Sequence, residues 1–230
     1  MKRTFAFIFA RGGSKGLPGK NLLSISGMSL TARAIMIAKN IDCIERVFLS
    51  SDCDKIIEEG KQSGAEIIKR PKILATDTAS EWDAWKHAIN VSCEKYGTFD
   101  QFISLPPTAP GREVKDVERC INSLDDGIDL VFTGQKANSN PWFNMVKRKA
   151  DGTMELACSN KNISRRQDAP TVYDMTTVAY AAKVNFILSS KNMWDGRLKM
   201  VEVSKENAID IDTEFDFNIA RYLIESKNEK

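Results

Sequence analysis

Arg11, Lys15 and Lys20 fall within ten residues of one another and are interleaved with four glycines in "ARGGSKGLPGKN" (Ala10–Asn21). Backbone N–H groups of such a loop, those of Gly12 and Gly13 included, can surround phosphate oxygens closely, and the three cations can neutralise several negative charges. The ligand class this chemistry suits is a polyphosphate. Two common phosphate loops do not fit. In the GxxxxGK[ST] pattern the first glycine is replaced by Ser14 and the final hydroxyl residue by Asn21, so the magnesium-binding hydroxyl is missing. Counted from Gly12, the GxGxxG dinucleotide pattern meets Ser14 at its second glycine. The plain alternative is a surface loop whose glycines only serve turns.

Near the other end, Asp210 and Asp212 stand two residues apart in "IDIDTEFDF". In an extended segment they share one face, and hard carboxylate oxygens suit a hard cation such as magnesium. The same pair also reads as a solvated acidic loop in which Asp212 or Thr213 caps the following helix. Asp52, Asp54 and Asp77 are further carboxylates near candidate loops; Asp54 reads as a helix cap and Asp52 as support on the nucleotide side. His87, the lone histidine, falls in a helical stretch beside Trp82 and Trp85 and reads as packing. No general base is evident.

These residues need a scaffold. With 230 residues, 42% hydrophobic and 28% charged, the chain has the profile of one globular domain with a sizeable core. A formal charge of +2 leaves no global field for a nucleic-acid or membrane partner, so cationic work must be local. The five cysteines are scattered without a CxxC pair and read as reduced core thiols. The apolar run before Arg11 is too short for a secretory leader or a membrane span, and the expected compartment is the cytoplasm.

Strand patterns at 4–9, 46–51, 66–69, 99–105 and 129–133 alternate with helical patterns at 30–39, 54–63, 80–96 and 113–124. That alternation predicts an α/β fold, a mostly parallel sheet with helices on both faces. Residues 135–173 break the rhythm: they are polar, basic and hairpin-like, with Asp151-Gly152 as a turn signal, and read as an inserted excursion. Strands near 177–182 and 200–204 and a helix at 214–226 close the single domain, 1–230. Ligands of open α/β sheets bind beyond the carboxyl ends of the strands, and the cationic loop follows the first strand directly.

Taken together, "ARGGSKGLPGKN", "SSDCDKI", "RPKILATDTAS", "LPPTAPGR" and "IDIDTEFDF" resemble, in order, the motifs of the CMP-sialic acid synthetases, the acylneuraminate cytidylyltransferase family. The outline is also similar to the CMP-Kdo synthetases. The resemblance implies a Rossmann-like nucleotide-sugar transferase that moves CMP from CTP to the anomeric hydroxyl of an acidic 2-keto sugar, with magnesium and release of pyrophosphate. It assigns Arg11, Gly12, Gly13, Ser14, Lys20, Asn21, Arg70 and Ser80 to the nucleotide, and Asp210 and Asp212 to the metal. Lys20, with Arg11 and Asp212, is expected to carry the chemistry by stabilising charge at the α-phosphate. Arg70 alone would pass for a surface cation, and Ser80 for an ordinary N-cap.

On the sugar side, Arg112, Arg166 and Gln167 match the family pattern, and arginine suits bidentate recognition of a carboxylate. The pattern departs at Pro106, where the family more often carries glutamine, at Asp174, where it has arginine, and at Thr176, where it has asparagine. These changes imply a related nonulosonic or other 2-keto acid, with Asp174 facing a substrate amino group or a neighbouring arginine. The excursion corresponds to the family's dimerisation region, and Trp142, Phe143 and Met145 suit a homodimer interface. Competing readings are an octulosonic-acid enzyme of the CMP-Kdo type, a small-molecule kinase, disfavoured without a Walker hydroxyl, and a non-catalytic nucleotide-sugar sensor.

Overall fold

A computed structural model describes residues 2–158 and 163–228. Residues 159–162, within the predicted excursion, lie outside the described residues. The first apolar run is β1 (Thr4–Phe9), and its alternation divides the molecule. Phe5 and Phe7 enter one hydrophobic core while Ala6 and Ile8 enter the other. A two-residue side-chain period dictates this for a strand covered on both faces.

β1 lies in a seven-stranded sheet with β4 (Ile44–Ser51), β5 (Glu66–Lys69), β6 (Gln101–Ser104), β7 (Leu130–Lys136), β10 (Tyr173–Lys183) and β11 (Leu198–Glu202), in the order β11-β7-β10-β6-β1-β4-β5. Every neighbouring pair is parallel except those made by β10, which runs antiparallel between β6 and β7. The mostly parallel sheet is as the alternation predicts. Two small hairpins flank it, β2 (Ser24–Ile25) with β3 (Met28–Ser29), and β8 (Val146–Arg148) with β9 (Met154–Leu156). The second is the predicted excursion hairpin, turning through Gly152 at φ 85°.

α1 (Leu30–Lys39), α2 (Asp54–Gln62) and α4 (Val114–Ser123) border the core that holds Ala6 and Ile8, whereas α3 (Glu81–Tyr96) and α5 (Val184–Ser189) border the aromatic one. α6 (Glu214–Asn228) seals a third, smaller cluster with Ile25, Leu30 and Ile211. Ser29 caps α1, its hydroxyl accepting from the Ala32 N–H at 3.0 Å, and Ser80 caps α3 by accepting from Asp83 at 3.3 Å. Along α1 the buried face is Leu30, Thr31, Ala34, Ile35 and Ala38.

Two sequence expectations change here. Asp54 is the first residue of α2 and not its cap, a position where its charge meets the helix dipole favourably. Of the cysteines only Cys120 is buried, and Cys43 is exposed; all five are free thiols. No helix among the described residues is long and apolar enough to cross a membrane.

Candidate active site

Parallel strands place their carboxyl ends on one edge, so the loops after β1, β4, β5 and β6 converge there. Those after β1, β5 and β6, together with Asp212 ahead of the last helix, line a cleft of about 390 Å³, while the loop after β4 stands behind it. The loop after β1 is fastened from behind. Gly12 N–H donates to Asp52 Oδ1 at 2.9 Å, and the Asn21 amide donates to the Arg11 carbonyl at 3.0 Å. Asn21 is buried, and its own carbonyl accepts from Thr31 Oγ1 at 2.8 Å. A left-handed Gly19, φ 69°, then turns the chain into the short helical turn Lys20–Leu22.

Lys20 is delivered to the acidic segment from the far end of the sequence. Its ammonium donates to the Ile211 carbonyl at 2.7 Å and pairs with Asp212 at 2.9 Å. The Lys20 side chain is 16% exposed and that of Asp212 74%, so the lysine is sheltered while the acid opens to the cleft. Ile211 N–H donates to Thr108 after β6 at 2.9 Å, which ties this segment to the sheet edge. Thr213 is the helix cap of the two residues considered: its hydroxyl accepts from Asp216 N–H at 3.3 Å, leaving Asp212 available to the cleft. Gly16 passes so close to the Asp212 carbonyl oxygen that a Cβ there has no room.

Arg70 borders the cleft with its guanidinium over the Phe9 ring at 5.4 Å, bonded to Ser50 Oγ at 3.1 Å and to the Ser50 carbonyl at 2.6 Å. Burial pulls its pKa down to about 10, against the opposing charges of Asp52 and Glu81. It remains a cation at neutral pH. Ser14 and Ser80 also line the cleft. Asp210 does not line it; Oδ1 of Asp210 is buried without a hydrogen-bond partner. Its charge reaches Glu81 and Tyr180, whose phenol is pushed up to about 12, chiefly by burial.

A family model described as cytidylyltransferase matches residues 5–96. The CMP-N,N'-diacetyllegionaminic acid synthase of Campylobacter jejuni is 31% identical over 99% of this chain and 97% of its own length. The chain belongs to the CMP-sialic acid synthetase family. An N-acylneuraminate cytidylyltransferase of Escherichia coli is 26% identical over 98% of the chain, which spans 53% of that longer protein. A solved CMP:2-keto-3-deoxy-manno-octonic acid synthetase complexed with CTP superimposes with a TM-score of 0.71 at 17% identity, over 98% of this chain and 99% of the other. That last likeness is one of fold.

As a member of this family the chain is a nucleotidyltransferase, a cytidylyltransferase. Its sugar-side candidates do not gather with the others. Arg112 is buried, and its guanidinium donates to the backbone carbonyls of Val178, Pro106 and Thr177. Burial lowers its pKa to about 9. An arginine so engaged holds the β6 loop to β10, which corrects the expectation of a substrate-carboxylate clamp. Arg166 and Gln167 border a separate cleft of about 370 Å³ in the excursion, where Arg166 donates to the Asn138 carbonyl at 2.6 Å. Asp174 is exposed on β10, opposite Gln135.

Gly12 and Gly13 are likewise absent from the cleft wall, and the Gly12 N–H is taken by Asp52. Cleft residues given no role by the motifs are Gly16, Glu81 and Thr108, and Lys15 and Asp77, noted in the sequence only as a loop cation and a loop carboxylate, line it as well. Lys15 and Gly16 were legible as parts of the loop's composition. Asp77 and Glu81 carried no signal beyond being carboxylates near a helix start.

Proposed function

We propose that this chain transfers CMP from CTP to the anomeric hydroxyl of an acidic 2-keto sugar of the nonulosonic class, releasing pyrophosphate. The observation that carries the reading is the cleft in which Arg11, Lys15, Lys20 and Arg70 meet Asp212 beyond the carboxyl ends of parallel strands. The sugar oxygen forms the new bond to the α-phosphorus, the bond from that phosphorus to the β-bridging oxygen breaks with its electron pair leaving on pyrophosphate, and the hydroxyl proton passes to water.

Lys20, held against Ile211 and Asp212, places a sheltered positive charge for the α-phosphate as its oxygens gain charge. Arg11 and Lys15 serve the outer phosphates, while Ser14, Asn21, Arg70 and the α3 start at Ser80 hold the nucleoside side. Asn21 acts by fixing the Arg11 carbonyl and so the course of the loop.

Magnesium is the proposed metal; Asp212, on the cleft wall, would hold it, with Asp210, two residues away and behind that wall, as the second carboxylate. The fit rests on the orphaned, buried Oδ1 of Asp210 and the open carboxylate of Asp212. Among the described residues no group of three or more acidic, histidine or cysteine side chains gathers into a cage. Two carboxylates completed by phosphate oxygens and water match the habits of this ion. When bound, it neutralises triphosphate charge and stabilises the departing pyrophosphate.

The excursion supports a homodimer in which Arg166, Gln167 and Asp174 serve the sugar of the partner's cleft, and a CTP-using enzyme of this kind is assigned to the cytoplasm. The test is pyrophosphate release from CTP and magnesium with a panel of sialic, legionaminic, pseudaminic and Kdo-type acids. Release with one acid, abolished in Asp212→Asn, is expected. Silence with the whole panel overturns the reading.

A further inference from the structure

Every cation of the phosphate loop is already paired inside the chain, but the partners differ in how they are anchored. Asp212, the partner of Lys20, belongs to a segment bonded to the β6 loop. Asp77 alone serves the other two: Arg11 Nη1 lies 2.9 Å from one of its oxygens and Lys15 Nζ 2.7 Å from the other. It sits in residues 71–79, the connection from β5 to α3.

That connection is weakly attached. Its backbone hydrogen bonds are local, from Leu74 to Pro71, Ala75 to Lys72 and Ala79 to Thr76, and Ile73 on its turn is exposed. Among the described residues, the ion pairs of Asp77 are its only hydrogen-bonded or ionic ties to the phosphate loop. All three side chains border the cleft that a polyphosphate would enter.

A carboxylate bridging two cations offers them what two phosphate oxygens would. We propose that Asp77 is a positioning residue that latches residues 71–79 onto the phosphate loop, keeps Arg11 and Lys15 placed between turnovers, and competes with pyrophosphate for both. The inference rests on the proposed function, in which the outer phosphates of CTP, released as pyrophosphate, lie on these two cations.

The pairs are solvent-exposed, with the side chains of Arg11, Lys15 and Asp77 at 33%, 79% and 40% exposure, and exposed pairs are weak enough to exchange. A polyphosphate carries more charge than one carboxylate and displaces it. Once the transfer has divided that charge between CMP and pyrophosphate, Asp77 is the local anion that reclaims the cations and hastens release. The Lys15 hydrogen bond first, then the charges of Lys15 and Arg11, hold its carboxyl below the usual aspartate range.

The experiment measures product inhibition by inorganic pyrophosphate and by CMP, in the full chain and in Asp77→Asn, with Asp77→Glu as the charge-conserving variant. The amide lowers the pyrophosphate inhibition constant about three- to tenfold, an effect that shrinks with added salt. CMP inhibition is unchanged, and Asp77→Glu behaves as the parent. An unchanged or raised pyrophosphate constant, or an equal gain for CMP, overturns the proposal.

Hydrogen exchange supplies the second readout. Pyrophosphate speeds exchange at residues 72–79 of the parent, and Asp77→Asn exchanges fast there without ligand. Should the protein turn over no acid of the panel, faster exchange in ligand-free Asp77→Asn still supports the latch and confines the failure to the substrate reading. Equal exchange overturns it.

Discussion

Glu81 follows the serine that caps α3, and an acid in the first helical turn is ordinarily favoured by the helix dipole. In this fold the protein packed around its carboxyl raises the pKa, with Asp210 adding to the rise and Arg70 opposing it, although the residue as a whole is exposed. A folded-state pKa above the unfolded one means that the folded chain binds this proton more readily. Near neutral pH the ionised carboxylate therefore opposes folding, and the penalty disappears as pH falls below the unfolded value of about 4.3. Glu81→Gln is expected to melt above the parent near neutral pH, with the gap closing in acid. A gap independent of pH would assign the effect to shape and not to ionisation. Arg112 teaches the converse about what a sequence conveys. Its motif was readable, but only the fold turned its guanidinium onto three backbone carbonyls.

Among the elements, β1 was legible to the residue because "TFAFIF" is apolar on both faces and ends at Arg11. β10 was legible as a strand but not as the one antiparallel member, since direction depends on the excursion that delivers it. Its register against β7 shifts between Thr176 and Tyr180, and Thr133 repairs the gap. The Thr133 hydroxyl accepts from the Ala179 N–H at 3.1 Å and from Thr176 Oγ1 at 2.8 Å, all of it buried. Thr133→Val orphans both donors and is expected to lower stability by about 2–4 kcal/mol in urea melts, whereas Thr133→Ser stays close to the parent. Equal stability of the Val variant would mean that water replaces the hydroxyl. Nothing in "VFTGQK" marks this threonine, because its partners lie more than forty residues away.

For the molecule as a whole, the β8-β9 hairpin stands apart from the cores and exposes Met145, Val146, Met154 and Leu156. A second copy covering this surface is the proposed homodimer. Val146→Glu, at 56% exposure, is expected to yield a monomer in analytical ultracentrifugation while leaving the thermal unfolding of the sheet unchanged. A parent protein that sediments as a monomer would remove the dimer and, with it, the proposed reach of Arg166, Gln167 and Asp174 to a partner's cleft.

Composition and period by themselves determined the α/β class, the strands of the parallel half, the hairpin turn at Gly152 and the cationic, glycine-rich make-up of the loop after the first strand. Each of those depends on neighbours within a few residues, where backbone geometry and side-chain type suffice. Which carboxylate meets which cation was decided by the tertiary structure. Lys20 and Asp212 are 192 residues apart, and Asp77 reaches Arg11 and Lys15 from a different crossover of the same sheet. Parallel strands bring such distant loops to a common edge, and only at that edge do their charges come close enough to pair.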